Sequence, residues 1–207
     1  MSLMFWKICI ALLLLAALCS CQRSPESGAS NRAENGAAEK GSEEAGAPRP
    51  VIKLTSAAFQ EGGSIPKKYT CDDANASPPL AWDVVPPNAK TIALIADDPD
   101  APRGTWVHWV LFNLPASARE LRENVPTQDK ISGGGAQGTN DFKRVGYGGP
   151  CPPPGGPHRY FFKLYALDTE LPPDSSTTKD KLLTAMQGHI VAQGQLMGKY
   201  ERGKSGQ

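Results

Sequence analysis

Two histidines, three aspartates and three aromatic residues fall within two short stretches of this chain, and each stretch is rich in turn-forming residues. The first, TIALIADDPDAPRGTWVHW, places Asp98 and Asp100 around Pro99 at the end of an apolar run, then Trp106 and His108 two residues apart. Side chains two apart on a strand share a face, so Trp106 and His108 are expected to point the same way. The second, GPCPPPGGPHRY, packs five prolines and three glycines into Gly149 to Tyr160 and ends on His158, Arg159 and Tyr160. Proline fixes φ and removes an amide donor, while glycine permits close backbone approach. Such a segment is neither helix nor strand, and it reads as a rigid loop feeding a strand.

The protein has only three histidines, and two of them belong to these stretches. Imidazole donors, a carboxylate able to orient or charge a histidine, and backbone amides of Gly146, Gly148 and Gly149 suit the oxygens of a small anion. An Asp–His pair also favours the cationic imidazole near neutral pH. Each residue has a plainer role when taken alone. Asp98 and Asp100 beside Pro99 are ordinary turn formers, and Trp106 and Trp109 are ordinary core aromatics. Two His and two Asp are zinc-ligand types, but their spacing matches no closed or HExxH-type pattern, so no metal or other cofactor is expected. No serine or cysteine lies in an activating motif such as G-x-S-x-G, and no catalytic residue is assigned.

Strands must hold these groups in place. TIALIADDP, WVHWVLFNLP, HRYFFKLYALD and HIVAQGQLMGKY read as β from their branched, aromatic and alternating content, and VIKLTSAAF alternates weakly. The good helix candidate is TTKDKLLTAMQ, Thr177 to Gln187, with a threonine start, an early acid and Leu182, Leu183 and Met186 on one face. The pattern predicts a mainly β domain, an all-β sandwich with a few peripheral helices, spanning 51–207. The charge balance of 22 basic against 21 acidic residues leaves +1, with no run of like charge, which argues against a nucleic-acid partner.

The first fifty residues read differently. Residues 1–21 carry an early Lys7 and the apolar run ICIALLLLAAL, the length of a signal-peptide core and short for a membrane span. They end in LCSC, in which Leu18, Ser20 and Cys21 sit as in the lipobox of bacterial lipoproteins, making Cys21 the expected lipidated residue. Residues 22–50 contain no aromatic residue and no Val, Ile, Leu or Met, as expected of a disordered tether with a reach of about 30 Å. Gln22 after the anchor directs the expectation to the outer membrane of the bacterial envelope, facing the periplasm. Export also bears on Cys71 and Cys151, the two cysteines of the domain: they form either a disulfide or two buried thiols.

DPDAP at Asp98 to Pro102, WVHW at Trp106 to Trp109 and GYGGPCPPPGGPHRY at Gly146 to Tyr160 resemble signature segments of the phosphatidylethanolamine-binding protein family, in its bacterial Raf kinase inhibitor-like branch. YTCDDANASPPLAW and GHIVAQGQLMGKY are similar to it as well, so the resemblance covers Val51 to Arg202. It implies a Greek-key β-sandwich with a small anion pocket walled by the proline-rich loop. The implied lining is Asp98, Asp100, Trp106, His108, Gly149, Pro152, Pro153, His158 and Tyr160, and the implied ligand a phosphate, acetate or phosphorylated head group. The resemblance allows a homodimer and an inhibitory protein partner, including an extracytoplasmic protease. A hydrolase using the pocket histidines is the alternative.

Overall fold

A computed structural model describes residues 49–172 and 174–203 of the chain. The expected signal segment, the expected lipidation site at Cys21 and all but the last two residues of the expected tether lie outside the described residues. Those last two, Arg49 and Pro50, are docked on the domain: Arg49 Nε donates to the Ile190 carbonyl, and the Pro50 carbonyl accepts from Gln193 N.

Two antiparallel sheets form a sandwich. The larger has five strands in the order β6-β4-β3-β7-β8, comprising β3 (Thr91–Asp98), β4 (Trp106–Pro115), β6 (Ala136–Gln137), β7 (His158–Leu167) and β8 (Ile190–Tyr200). The smaller joins β1 (Leu54–Thr55), β2 (Leu80–Trp82) and β5 (Glu120–Leu121) in the order β1-β2-β5. All four long strands fall where branched and aromatic residues predict them. The weak alternation of VIKLTSAAF yields only the two residues of β1, and β2, β5 and β6 are too short to leave a periodic signal.

The faces of the large sheet follow from strand periodicity. Ile92, Leu94 and Ala96 of β3, with Tyr160, Phe162, Leu164 and Ala166 of β7, turn towards the small sheet and its Leu54, Leu80, Trp82 and Leu121. Ala93 and Ile95 face the opposite way, against Leu182 and Met186 of α1 (Lys179–Met186), the one α-helix among the described residues. Fully burying a side chain of this size contributes about 2 kcal/mol. Thr178 caps α1 by accepting from Lys181 N, and Gly188 ends it at φ +79°, where a side chain would be strained. A short 3-10 turn, Lys67–Tyr69, is the other helical element described.

Strand β4 carries two interruptions that matter for the site. Opposite β3, Ala96 pairs with Trp109 and Asp97 with Val107, so His108 is the extra residue of a bulge. A bulge breaks the two-residue alternation, and here it lets both His108 and Trp109 serve the same side of the sheet. A second irregularity lies at Phe112–Asn113, where Asn113 adopts φ +57° and exchanges two hydrogen bonds with the backbone of Leu171.

Candidate functional site

The ends of β3 and β7 and the bulge of β4 meet at one edge of the sandwich, and the proline-rich loop closes over them. The result is a cavity of about 230 Å³ lined by Asp98, Ala101, Pro102, Trp106, His108, Phe142, Cys151, Pro152, Pro153 and His158. Larger clefts elsewhere, of about 440, 470 and 560 Å³, contain no histidine. Among the described residues no group of three or more His, Cys, Asp or Glu is arranged to hold a metal ion.

Asp98 is 3% exposed, and both of its oxygens are engaged. Oδ1 accepts from Asp100 N at 2.8 Å, which folds the DPD turn back on itself, and Oδ2 accepts from His158 Nδ1 at 2.8 Å. The carboxylate therefore fixes the His158 ring, leaving Nε2 as its second polar atom.

His108 is held differently. Its Nδ1 lies 2.6 Å from the Gly148 carbonyl, which can only accept, so Nδ1 carries a proton and donates. The ring is 4% exposed, and burial pushes its pKa below the usual histidine value, against the opposing pull of the Gly148 carbonyl and the Asp98 charge. A neutral ring with Nδ1 protonated presents Nε2 as a lone pair. Phe142 and Tyr160 flank it edge-on, with centroids 5.4 and 5.2 Å away, and Phe142 meets Trp106 at 5.4 Å.

Six of the nine lining residues expected from sequence border the cavity: Asp98, Trp106, His108, Pro152, Pro153 and His158. Asp100, Gly149 and Tyr160 do not. Asp100 turns to Arg159, which grips it through Nε, Nη2 and the backbone amide, and this ion pair lowers the Asp100 pKa to about 2. Tyr160 lies beneath the His108 ring, 2% exposed, with a hydroxyl that has no well-formed hydrogen bond among the described residues. Burial first, then the nearby Asp98 charge, pushes its pKa up.

The glycine amides are also not free for a ligand. Gly148 N donates to the His108 carbonyl at 2.9 Å, Gly149 N to Asn75 Oδ1 at 2.7 Å, and Gly146 N reaches the Gly138 carbonyl at 3.4 Å. The glycines serve close packing instead. A Cβ on Gly149 would stand 2.3 Å from the Tyr69 carbonyl, and one on Gly148 would stand 2.6 Å from the Phe142 ring.

Two contributions are invisible in the linear order. Phe142 comes from a loop with no pattern of its own, and its position depends on Asn140, whose buried Nδ2 holds the Gly146 carbonyl at 2.9 Å while Oδ1 accepts from Arg144 N. Asn75, at φ +55°, anchors Gly149 from 74 residues earlier in the chain. Of their two expected states, Cys71 and Cys151 adopt the disulfide, with Cα atoms 5.4 Å apart, which places Cys151 in the cavity wall. Pro102 and Ala101, by contrast, adjoin the Asp98–Asp100 turn and were within reach of the motif that marked it.

The family model for phosphatidylethanolamine-binding protein matches residues 55–201. A protein designated UPF0098 from Methanothermobacter thermautotrophicus is 51% identical over 152 residues, covering 73% of this chain and all of that one. Its counterpart from Aquifex aeolicus is 49% identical over 156 residues, covering 73% of this chain and 90% of that one. Among solved structures, a phosphatidylethanolamine-binding protein homologue from Chlamydia trachomatis superposes with a TM-score of 0.68 at 43% identity, covering 74% of this chain and 99% of its own. Escherichia coli YbcL, described as a new member of the mammalian family, gives 0.68 at 32% identity, covering 73% and 99%.

Proposed function

Because this chain belongs to the phosphatidylethanolamine-binding protein family, we propose that it is a binding protein whose cavity takes a small anionic or phosphorylated group, such as phosphate or a phosphorylated head group. The observation that carries this reading is the pair of differently held imidazoles, His108 and His158, facing one cavity whose walls are otherwise proline, alanine, aromatic, the disulfide-bonded Cys151 and a single carboxylate. No lysine or arginine lines it, and the adjacent glycine amides are committed elsewhere. Positive charge for an anion must therefore come from protons on the imidazoles. Asp98 holds only Nδ1 of His158, leaving Nε2 as the polar atom of that ring not engaged by the carboxylate, and His108 can accept a proton at Nε2 once an anion offsets its burial.

This makes binding proton-coupled. Phosphate affinity should rise as pH falls from 8 towards 6, with net proton uptake detectable by calorimetry in buffers of different ionisation heat. The direct test is titration of the protein with phosphate, phosphoethanolamine and acetate beside a His108→Ala variant. Heat from the phosphorylated compounds that the variant abolishes supports the pocket; no heat from any anion at millimolar concentration overturns it. Hydrolysis has less support, since the one sulfur in the lining belongs to a disulfide and no serine or threonine borders the cavity.

We place this activity at the bacterial cell envelope, most simply on the outer membrane facing the periplasm, held by a lipid on Cys21. The support is the LCSC segment after an apolar run and the Gly-, Ala- and Glu-rich stretch that follows. Among the described residues no helix is long and apolar enough to cross a membrane. The mass of the protein recovered from the membrane fraction tests the proposal: a diacylglycerol-modified amino terminus at Cys21 supports it, and an unmodified terminus in the soluble fraction overturns it.

A further inference from the structure

We propose that the Cys71–Cys151 disulfide is a redox latch on the cavity wall, such that a dithiol reductant weakens anion binding without unfolding the sheets. The inference rests on the anion-pocket reading above and adds its regulation.

The wall is tied down in an unusual way. Among the described residues, the backbone of 151–157 makes no turn or loop hydrogen bond to the rest of the domain. Four of those seven residues are prolines and have no amide to donate. Just before the wall, Gly149 N bonds to Asn75 Oδ1 and the Pro150 carbonyl accepts from Cys71 N at 3.0 Å. Just after it, His158 enters β7. Between Pro150 and His158 the Cys71–Cys151 bond is therefore the one directional attachment, and everything else is packing.

The far end of that attachment is well anchored. Tyr69 Oη donates to Glu123, the Tyr69 carbonyl accepts from Tyr147 Oη, and Asp72 receives Tyr200 Oη and Arg202. The bridge thus joins a fixed platform to a wall that is otherwise only leaning on the cavity. Both cysteine residues lie at the exposed surface of the domain, where a thiol can approach the bridge.

Chemically, one thiolate of the dithiol attacks a bridge sulfur and expels the other as a thiolate. The second reductant thiol then resolves the mixed disulfide. Two electrons pass to the protein, Cys71 and Cys151 each take up a proton, and the reductant leaves as its own disulfide. The released wall carries Pro152 and Pro153 away from their fixed position in the cavity lining. Re-ordering even one backbone residue on binding weakens affinity by roughly tenfold, so at least that loss is expected for the reduced protein.

The test compares oxidised protein, protein reduced by dithiothreitol, and the Cys71→Ser/Cys151→Ser variant, by phosphate titration and by amide hydrogen exchange in NMR. The latch predicts faster exchange on reduction at the amides of residues 71 and 149, unchanged exchange in β3, β7 and β8, and phosphate affinity at least about tenfold weaker. Reoxidation should restore both readouts. Unchanged exchange at residues 71 and 149 overturns the latch, as does collapse of amide dispersion across the sheets, which would make the bridge a staple of the fold. Absence of phosphate binding in the oxidised protein defeats the pocket reading instead, and the exchange data still decide whether the wall is latched.

Discussion

Asp97 and Asp98 are neighbours on β3 and have opposite fates. Asp97 faces the helix side, fully buried, with Lys163 Nζ at 2.8 and 3.0 Å from its two oxygens and Lys179 Nζ also bonded to it. Lys163 belongs to β7 and Lys179 opens α1, so this carboxylate clamps the helix to the sheet. Asp98 faces the sandwich side, nearly as buried, but has one imidazole and one turn amide for partners and a cavity beside it. A carboxylate neutralised by two ammonium groups has no capacity left for a ligand. One that shares a single histidine still governs how that histidine meets whatever enters.

The contrast predicts that the two residues separate stability from binding. Asp97→Ala should have the largest effect on folding, about 3 kcal/mol in urea unfolding, because it strands two partly buried cations and frees the first turn of α1. Its phosphate affinity should be unchanged in the folded protein. A folded Asp97→Ala protein that no longer binds phosphate would show that the faces are coupled through β3 and would break the comparison.

Asp98→Asn reverses the pattern. A neutral amide still accepts from Asp100 N and can meet His158, so the stability loss should be about 1 kcal/mol, the scale of one weakened hydrogen bond. The carboxylate charge that fixes the His158 ring is gone, and phosphate affinity should fall by more than tenfold in the same calorimetric assay. Affinity equal to that of the native protein would remove Asp98 from the site.

His108 supplies a pH signature on the same side of the sheet. Its folded pKa lies below the usual value of about 6.5, so the unfolded chain binds more protons just under that pH. The stability contribution is therefore present above about pH 6.5 and is lost as pH falls from there towards the folded pKa. Unfolding curves for the native protein and His108→Gln, measured between pH 8 and 5, should converge on the acid side. A constant gap would mean that the burial of His108 is not what separates them.

Much of this was legible in the sequence, for reasons that differ by element. Long strands announce themselves because β3, β4, β7 and β8 each bury at least one face over eight or more residues. The histidines and Asp98 were legible because scarce side chains adjoin turn residues. Two-residue spacing placed Trp106 and His108 together, but it could not foresee that His108 sits in a bulge, which depends on register with β3. Nor could it foresee that the glycine amides are consumed by Asn75 and His108, since those bonds join residues 74 and 40 positions apart. Phe142 and Asn140 carry no local signal at all. Their roles exist only once the loop is folded over β4.

Asp100 sharpens the comparison from the weak end. Sequence placed it beside Asp98 as a lining residue, yet in the structure it points to Arg159 at the surface, where Arg159 Nε and Nη2 lie 2.9 and 2.7 Å from its oxygens. The Arg159 hydrogen bond holds its pKa near about 2, below the unfolded value, so its contribution is present above the ordinary carboxylate range and is lost as pH falls towards 2. That window is well separated from the one set by His108. Surface exposure and salt screening keep the effect small, so Asp100→Asn should shift the acid limb of a pH–stability profile only slightly and leave phosphate affinity at neutral pH unchanged. A loss of affinity matching that of Asp98→Asn would restore Asp100 to the site and imply that the DPD turn opens towards the ligand on binding. An unchanged affinity leaves Asp98 as the only carboxylate that addresses the cavity, one turn amide away from a neighbour that merely shapes its rim.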